Sequence, residues 1–409
     1  MRYFIFTSVI VLFLAGPAYP ITMDEAVQRA LAHNPDLRAM RFDEDTAKGQ
    51  LEKAQLLLIN NPTIEGNISK KDRPAGEEGG AYTNYGFKLS QEFEVAGQRG
   101  SRITVAENEL ARTQAEIKDK ERVLIAEVKD AFAKVLAMKK KNGLAREIVS
   151  LKEELLGYTK IKFQAGDISG LDVNLAEVEL SKAKRDFLQS EKEHREALLA
   201  LQGLIGGSPD LSLSLQGDLP SDAPALPDKQ AIKELASSRR PDAKATIFEV
   251  EKTKAALKLA KKEVIPNLTL SGFYDRDELR NVAGLAVSIP FPLFDRKQAE
   301  RKEAYARAEG ARIKSAGLQK TINREVEQAH GDLAAAIEEL ILFQKEIIVK
   351  AAENLTLLNL AFKEGKVGFF EVRLAQKDTI DAQFAYIDAR MKTQLAINAI
   401  EKTTGGALK

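Results

Sequence analysis

"FQAGDISGLDVNLAEVELSKA" (residues 163–183) and "FKEGKVGFFEVRLAQKDTIDA" (residues 362–382) write one local plan twice. Phe163, Gly166, Val173, Leu175 and Ala176 return as Phe362, Gly365, Val372, Leu374 and Ala375, each 199 residues further on. The same offset holds at the Gly-Gly pairs 206–207 and 405–406. In each copy a helical pattern ends near a glycine, a short turn follows, and a second helical pattern begins. The chain is therefore an internal repeat, and the rest of it reads as two passes along one path.

Each pass opens with a helix-start signal. "ITMDEAVQRALAHNPDL" begins the first, with Thr22 or Asp24 as N-cap, and "LPDKQAIKELASSRRPDA" begins the second, with Asp228 in the matching place. Pro35 and Pro241 stand 206 residues apart, so small insertions separate the halves. The opening helices, the first over 23–58, are expected to continue until Pro62 and Pro266 stop them. Alternating segments follow. In "YGFKLSQEFEV" Tyr85, Phe87, Leu89, Phe93 and Val95 are apolar, whereas Gly86, Lys88, Ser90, Glu92 and Glu94 are small or polar. "AGLAVSIPF" sets Ala283, Leu285, Val287, Ile289 and Phe291 against Gly284, Ala286, Ser288 and Pro290, and partner strands are expected over 63–70 and 267–274. Period two with one apolar face means strands. "DRPAGEEGGA" and "DRDELRN" read as the loops that join each pair.

From 98 to 162 the pattern turns helical, with Ile103, Leu110, Ile117, Leu124, Ala131, Met138 and Ala145 at seven-residue spacing. The second long helix, 296–362, carries Ile341, Ile348, Leu355 and Phe362. Sustained heptads pack helices side by side in a left-handed supercoil. Bends are expected at Asn142–Gly143, Gly310, Gly317 and Gly331. A long helix of this kind spans roughly 100 Å, and the return helix 171–205 and the opening helix roughly 50 Å each. The expected partition is a signal peptide 1–18, a first repeat 19–205 with its strand pair at 62–95, a mid-height segment 206–227, and a second repeat 228–409 with its strand pair at 267–291.

Composition narrows the class. Lys+Arg total 61 and Asp+Glu 60, so no global field recruits nucleic acid. With no Cys, disulfides and thiolate chemistry are excluded. "MRYFIFTSVIVLFLAGPAYP" has Arg2, then about 13 apolar residues, then small residues at Gly16 and Ala18: a secretory signal cut after Ala18, too short to span roughly 30 Å of hydrocarbon. Entry into a membrane must then be by strands. Four strands cannot close a barrel, since the smallest has about eight, and an open edge in lipid leaves peptide groups unpaired at several kcal/mol each. The strands must be pooled between identical chains.

With "LSQEFEVAGQRGSRI", "VSIPFPLFDRKQAER" and the closing "LAINAIEKTTGG", the chain resembles the TolC family of outer-membrane efflux proteins. "EFEVAGQRGSR" and "IPFPLFDRKQ" are most similar to its CzcC-like heavy-metal branch. The resemblance implies a mainly α fold with a small β part, a homotrimeric α/β-barrel of long coiled-coil helices and four transmembrane β-strands per chain. It implies a position in the bacterial outer membrane with a long periplasmic extension. The expected partners are a periplasmic adaptor (membrane fusion protein), an inner-membrane transporter of the resistance-nodulation-division type and outer-membrane lipid. No cofactor and no enzyme activity are implied. By position, the tips Gly166, Asp167, Ser169 and Gly170, and Gly365, Lys366 and Gly368, would dock the adaptor; tight turning alone is the alternative for Gly166 and Gly365. Asp172 and Glu371 would line the pore constriction, with helix capping as the alternative. The family's second constriction acid falls on Leu374, and its gating Tyr and Arg fall on Phe362 and Val367, so any seal is more apolar.

His33, His194 and His330 are isolated, Met40, Met138 and Met391 do not cluster, and "KKK" at 139–141 reads as a solvated face. Neither a phosphate-binding glycine loop, a GxSxG elbow nor an HExxH motif occurs. The function expected is a passive exit duct for heavy-metal cations. A multidrug or type I secretion duct is the alternative, and a soluble periplasmic coiled-coil adaptor the alternative of another class.

Overall fold

The structure, a computed structural model, describes residues 20–72, 81–207, 213–278, 280–364, 366–367 and 369–406. The signal segment, most of the glycine-rich loop 72–81, and tip residues Gly365 and Gly368 lie outside the described residues. In chain order the elements are α1 (Met23–His33), α2 (Pro35–Gln55), β1 (Thr63–Lys71), β2 (Tyr82–Phe93), α3 (Gln98–Gln164) and α4 (Gly170–Leu204). Then come α5 (Lys229–Arg239), α6 (Pro241–Lys262), β3 (Leu268–Asp277), β4 (Arg280–Ser288), α7 (Gln298–Leu342), a π-turn (Phe343–Ile347), α8 (Ile348–Lys363) and α9 (Phe369–Thr404). They divide into two units: 1–38, 121–236 and 325–409 form the first, 39–120 and 237–324 the second.

The second unit holds the sheet. Its four antiparallel strands run in the order β1-β2-β3-β4. The register aligns the faces: Ile64 faces Leu89, Ile68 faces Tyr85, Phe87 faces Tyr274, Gln91 faces Leu270, and Leu270 faces Val287. Since alternate residues share a side, one face carries Ile64, Ile68, Tyr85, Phe87, Leu89, Tyr274, Leu285 and Val287. Ile68 is 80% exposed and Leu285 81%. The other face is polar: Ser90 and Ser271 share a buried 2.9 Å hydrogen bond, and Lys88 lies 3.5 Å from Glu65. The β3–β4 connection is shorter than expected. The strands run through most of "DRDELRN", and Glu278 turns at φ 55°. Beside the sheet, small residues let helices approach closely: Ala54 on α2, Ala106 and Ala115 on α3, Ala255 and Ala260 on α6, Ala308 and Ala311 on α7 are buried.

The strand-to-helix joints of the two halves start alike. The Gln98 side chain accepts from the Ala96 N–H at 2.8 Å, and the Gln298 side chain accepts from the Arg296 N–H at 2.8 Å. Thereafter they differ. The first joint is held by its own chain: Arg102 pairs with Glu94, Lys262 Nζ donates to the Gly97 carbonyl at 2.6 Å, and Gln98 Nε2 donates to the Asn267 side chain at 3.2 Å. In the second joint Phe291, Leu293 and Phe294 are exposed.

The first unit holds the segment that links the two halves and the helix tips. Thr22 caps α1 through a capping box with Glu25, and Asp228 accepts from the Ala231 N–H at 2.9 Å at the start of α5. The opening helices are not continuous. Each breaks before its proline, at Asn34 (ψ 124°) and at Arg240 (ψ 123°), because the residue before proline is driven out of the α region. Asn34 then caps α2, accepting from the Leu37 N–H at 3.1 Å. Between the halves, Ile21 bridges Leu215 in parallel, and Arg390 donates to the carbonyls of Leu219 and Pro220. Phe132, Leu201, Ile232 and Ile400 are fully buried here.

The expected bends do not interrupt the helices. α3 is continuous through Asn142–Gly143, and α7 is continuous through Gly310, Gly317 and Gly331. The second long helix is interrupted instead by the π-turn, where no glycine stands. Upstream of it the buried seam is Ile322, Val326, Ala329, Leu333, Ala336 and Leu340. A π-turn inserts one residue into the helical phase. Ile341 therefore falls beside the seam, whereas Ile348 and Leu355 fall on its continuation. The heptad read across this point changes phase in the middle.

Candidate functional site

Four helix ends in the first unit close with one motif at the 199-residue offset. After α3, Gly166 has φ 82°, its N–H donates to the Phe163 carbonyl at 3.0 Å, and the Asp167 N–H donates to the Lys162 carbonyl at 3.0 Å. After α8, the Lys366 N–H donates to the Ala361 carbonyl at 2.9 Å. Gly206 and Gly405, at φ 68° and 83°, close α4 and α9 with the bonds Gly207 to Gln202 and Gly406 to Glu401, both 3.0 Å. This pairing satisfies carbonyls that a helix end leaves open and needs a left-handed residue, which glycine provides without strain.

The first tip is exposed at Asp167, Ser169 and Gly170. Phe163 lies across Gly170, where an added methyl would meet the ring at 3.7 Å. Asp172 serves the turn: its carboxylate accepts from the Ser169 N–H at 3.0 Å and from the Ser169 hydroxyl at 2.8 Å. At the second tip Lys366 pairs with Glu364 at 2.6 Å, and Glu371, in the first turn of α9, is exposed. Arg373 lies over the Phe370 ring at 5.7 Å. Apolar side chains flank both tips: Ile161, Phe163, Leu171 and Leu175 at the first, Leu357, Leu360, Phe370 and Leu374 at the second, all exposed.

Leu374 borders a cavity of about 450 Å³ among α3, α4 and α9, together with Lys152, Glu179, Arg373 and Phe384. Lys152 is buried there. Its only ion pair among the described residues is with Glu179 at 3.9 Å. Burial pushes its ammonium below the usual lysine range, Glu179 opposes that shift, and Arg373 adds to it. No residue pattern marks this group, because a lysine within a heptad helix looks like any solvated residue. In the second unit, Glu109, Arg112, Glu249 and Lys252 form a half-buried ion network between α3 and α6. The Arg112 hydrogen bond, against the cost of burial and with help from Lys252, holds Glu109 down at about 2.

Among the described residues no three His, Cys, Asp or Glu stand together as metal ligands, and no helix is long and apolar enough to cross a membrane. His330 meets the Pro227 carbonyl at 3.2 Å, and burial, then Lys139, pushes His194 down.

An amphipathic four-stranded sheet joined to paired helices with glycine-closed tips defines an outer-membrane channel subunit of TolC-like fold. The chain belongs to the outer membrane efflux protein family, whose sequence model matches residues 26–207 and 233–406. It is an outer-membrane protein with a long periplasmic extension, in a family of efflux channels and not of enzymes. It is 24% identical over 402 residues to the cobalt-zinc-cadmium resistance protein CzcC of Cupriavidus metallidurans, covering 98% of this chain and 93% of that one. It is also 24% identical to the pyoverdine export outer membrane protein OpmQ of Pseudomonas aeruginosa, covering 94% of this chain and 85% of that one. The solved structure of the outer-membrane channel OprN superimposes with a TM-score of 0.80 at 21% identity, covering 94% of this chain and 90% of that one.

Proposed function

We propose that three copies of this chain form the passive exit duct of a tripartite efflux system and that its cargo is heavy-metal cations. The observation that carries the duct is the sheet. All its large aliphatic and phenylalanine side chains but two, Phe273 and Val282, fall on the exposed face, and the outer edges of β1 and β4 have no strand partner among the described residues. An antiparallel β4-to-β1 pairing between neighbours satisfies both edges, and three copies supply about twelve strands, enough to close. Exposed apolar residues on the helices, such as Tyr158, Leu188 and Val349, suit packing between copies. In this reading the two glycine tips dock the helical hairpins of a periplasmic adaptor, and the adaptor links the duct to an inner-membrane pump that supplies the energy.

The constriction is assigned to the second tip, at Glu371 and Leu374. Asp172 contributes less, because its carboxylate is already engaged in the cap of α4. Likeness to CzcC supports the metal cargo; likeness to OpmQ supports the alternative, a duct for organic molecules. Deleting the gene tests the two. Loss of tolerance to cobalt, zinc or cadmium with unchanged drug sensitivity is the expected result. Unchanged metal tolerance with heightened sensitivity to organic compounds would overturn the metal cargo and leave the duct.

A further inference from the structure

We propose that the joint between β4 and α7, residues 290–294, is a membrane anchor lying in the headgroup–acyl boundary of the periplasmic leaflet. The inference rests on the outer-membrane reading of the sheet and adds to it a specific lipid-contacting segment. The outward side of β4 is set by Leu285 and Val287. Ladder pairing stops at Ser288, but the two-residue period does not: Ile289 is 60% exposed and Phe291 is 85% exposed. Pro290 and Pro292 occupy the alternate positions. Proline has no N–H to offer a ladder and stays extended, so the segment leaves the sheet without losing its face. The chain then turns, with the Leu293 N–H donating to the Phe291 carbonyl at 2.9 Å, and brings out Phe294 at 89% exposure. Ile265, also exposed, borders the same hollow of about 660 Å³.

An apolar surface continuous with a lipid-facing one has the same neighbour. Where the strands end, that neighbour is the interface, the level at which aromatic rings concentrate. Charge agrees. Two residues beyond Phe294 stands Arg296, exposed and without an ion pair among the described residues, whereas Lys297 is spent on Glu300 at 2.9 Å. A guanidinium just outside an aromatic cluster meets lipid phosphate. The matching joint of the first half does not present such a cluster, being tied to Arg102, Lys262 and Asn267 of its own chain.

The chain has no tryptophan, so a single introduced indole reports its own surroundings. The full chain carrying Phe294→Trp, with Phe291→Trp as a second reporter and Leu285→Trp as a mid-sheet reference, is assembled in vesicles of phosphatidylethanolamine and phosphatidylglycerol. The acyl chains are brominated either near the headgroup or near the chain end. The expected result is that Phe294→Trp loses more emission to the shallow bromines and Leu285→Trp more to the deep ones. If Leu285→Trp is quenched while both joint reporters are not, the anchor is overturned and the outer-membrane sheet stands. If the joint reporters are quenched as deeply as Leu285→Trp, a boundary position is overturned. If none is quenched, sheet and anchor fail together.

Discussion

The two halves follow one path and stabilise it differently. Glu109 and Arg112 in the first half return 200 residues later as Glu309 and Arg312, again three residues apart on a helix. The first pair is half-buried and extended by Glu249 and Lys252; the second is exposed, with Arg312 at 69%. Lys152, buried on α3, has Ala351 as its counterpart. α3 is one uninterrupted helix, whereas its partner is broken by a π-turn at which Phe343 packs on Tyr386 at 6.4 Å between ring centres. What the halves share is backbone closure: glycine-ended helices and paired strands. What they do not share is side-chain environment. A repeat preserves what the peptide group requires, and each half then meets different neighbours.

The comparison can be broken hardest at the sheet, where the halves should be equal. Phe87→Arg in the first pair and Leu285→Arg in the second should each cost about 2–4 kcal/mol, as a cation facing the middle of a bilayer does. The measurement is the folded fraction in lipid vesicles across a urea series. Tolerance of one but not the other would show that only one hairpin meets lipid. Next come the glycine ends. Gly206→Ala places a methyl 2.6 Å from the His33 carbonyl oxygen as well as in left-handed backbone, and should cost about 3 kcal/mol. Gly166→Ala has open space around it and should cost about 1 kcal/mol by thermal unfolding. A loss of efflux in Gly166→Ala far beyond that small cost would mark the tip as a docking surface.

The ion networks sharpen the comparison further. Glu109 has a depressed pKa, so its contribution is complete above about pH 4.5, the value for a free glutamate, and is lost as pH falls towards about 2. Glu109→Gln should cost about 2 kcal/mol at neutral pH and flatten the stability profile in that window, whereas Glu309→Gln should change stability by less than about 0.5 kcal/mol. The smallest effect is a gain. Lys152→Met removes a poorly paired buried ammonium and should raise stability by about 1 kcal/mol, since Glu179 keeps Lys182 at 3.5 Å. A loss in that variant would show that the Lys152–Glu179 contact holds α3 to α4.

Much of this architecture was legible because it follows from periodicity. Two-residue alternation located all four strands, and the Thr22 and Asp228 caps and the tip glycines located helix ends. The breaks at Asn34 and Arg240 were missed because proline suits the first turn of a helix, so Pro35 and Pro241 look like interior accidents. The glycines expected to weaken α7 leave it uninterrupted, because each costs only about 1 kcal/mol in a helix of this length. The π-turn at Phe343–Ile347 has no residue signature at all, and it moved the seam that Ile341 was expected to join. At the tips, Ser169 and Asp172 form a capping pair that sequence alone could not separate from a pore-lining acid.

The open edges of β1 and β4 have a genetic consequence. A subunit damaged at either edge would still occupy a place in the proposed ring and leave it a seam in lipid, so intact copies in the same cell would be drawn into faulty assemblies. Edge mutations should therefore act as dominant alleles, poisoning efflux even when expressed beside the normal gene. Lesions that unfold the chain before it reaches its neighbours should be recessive.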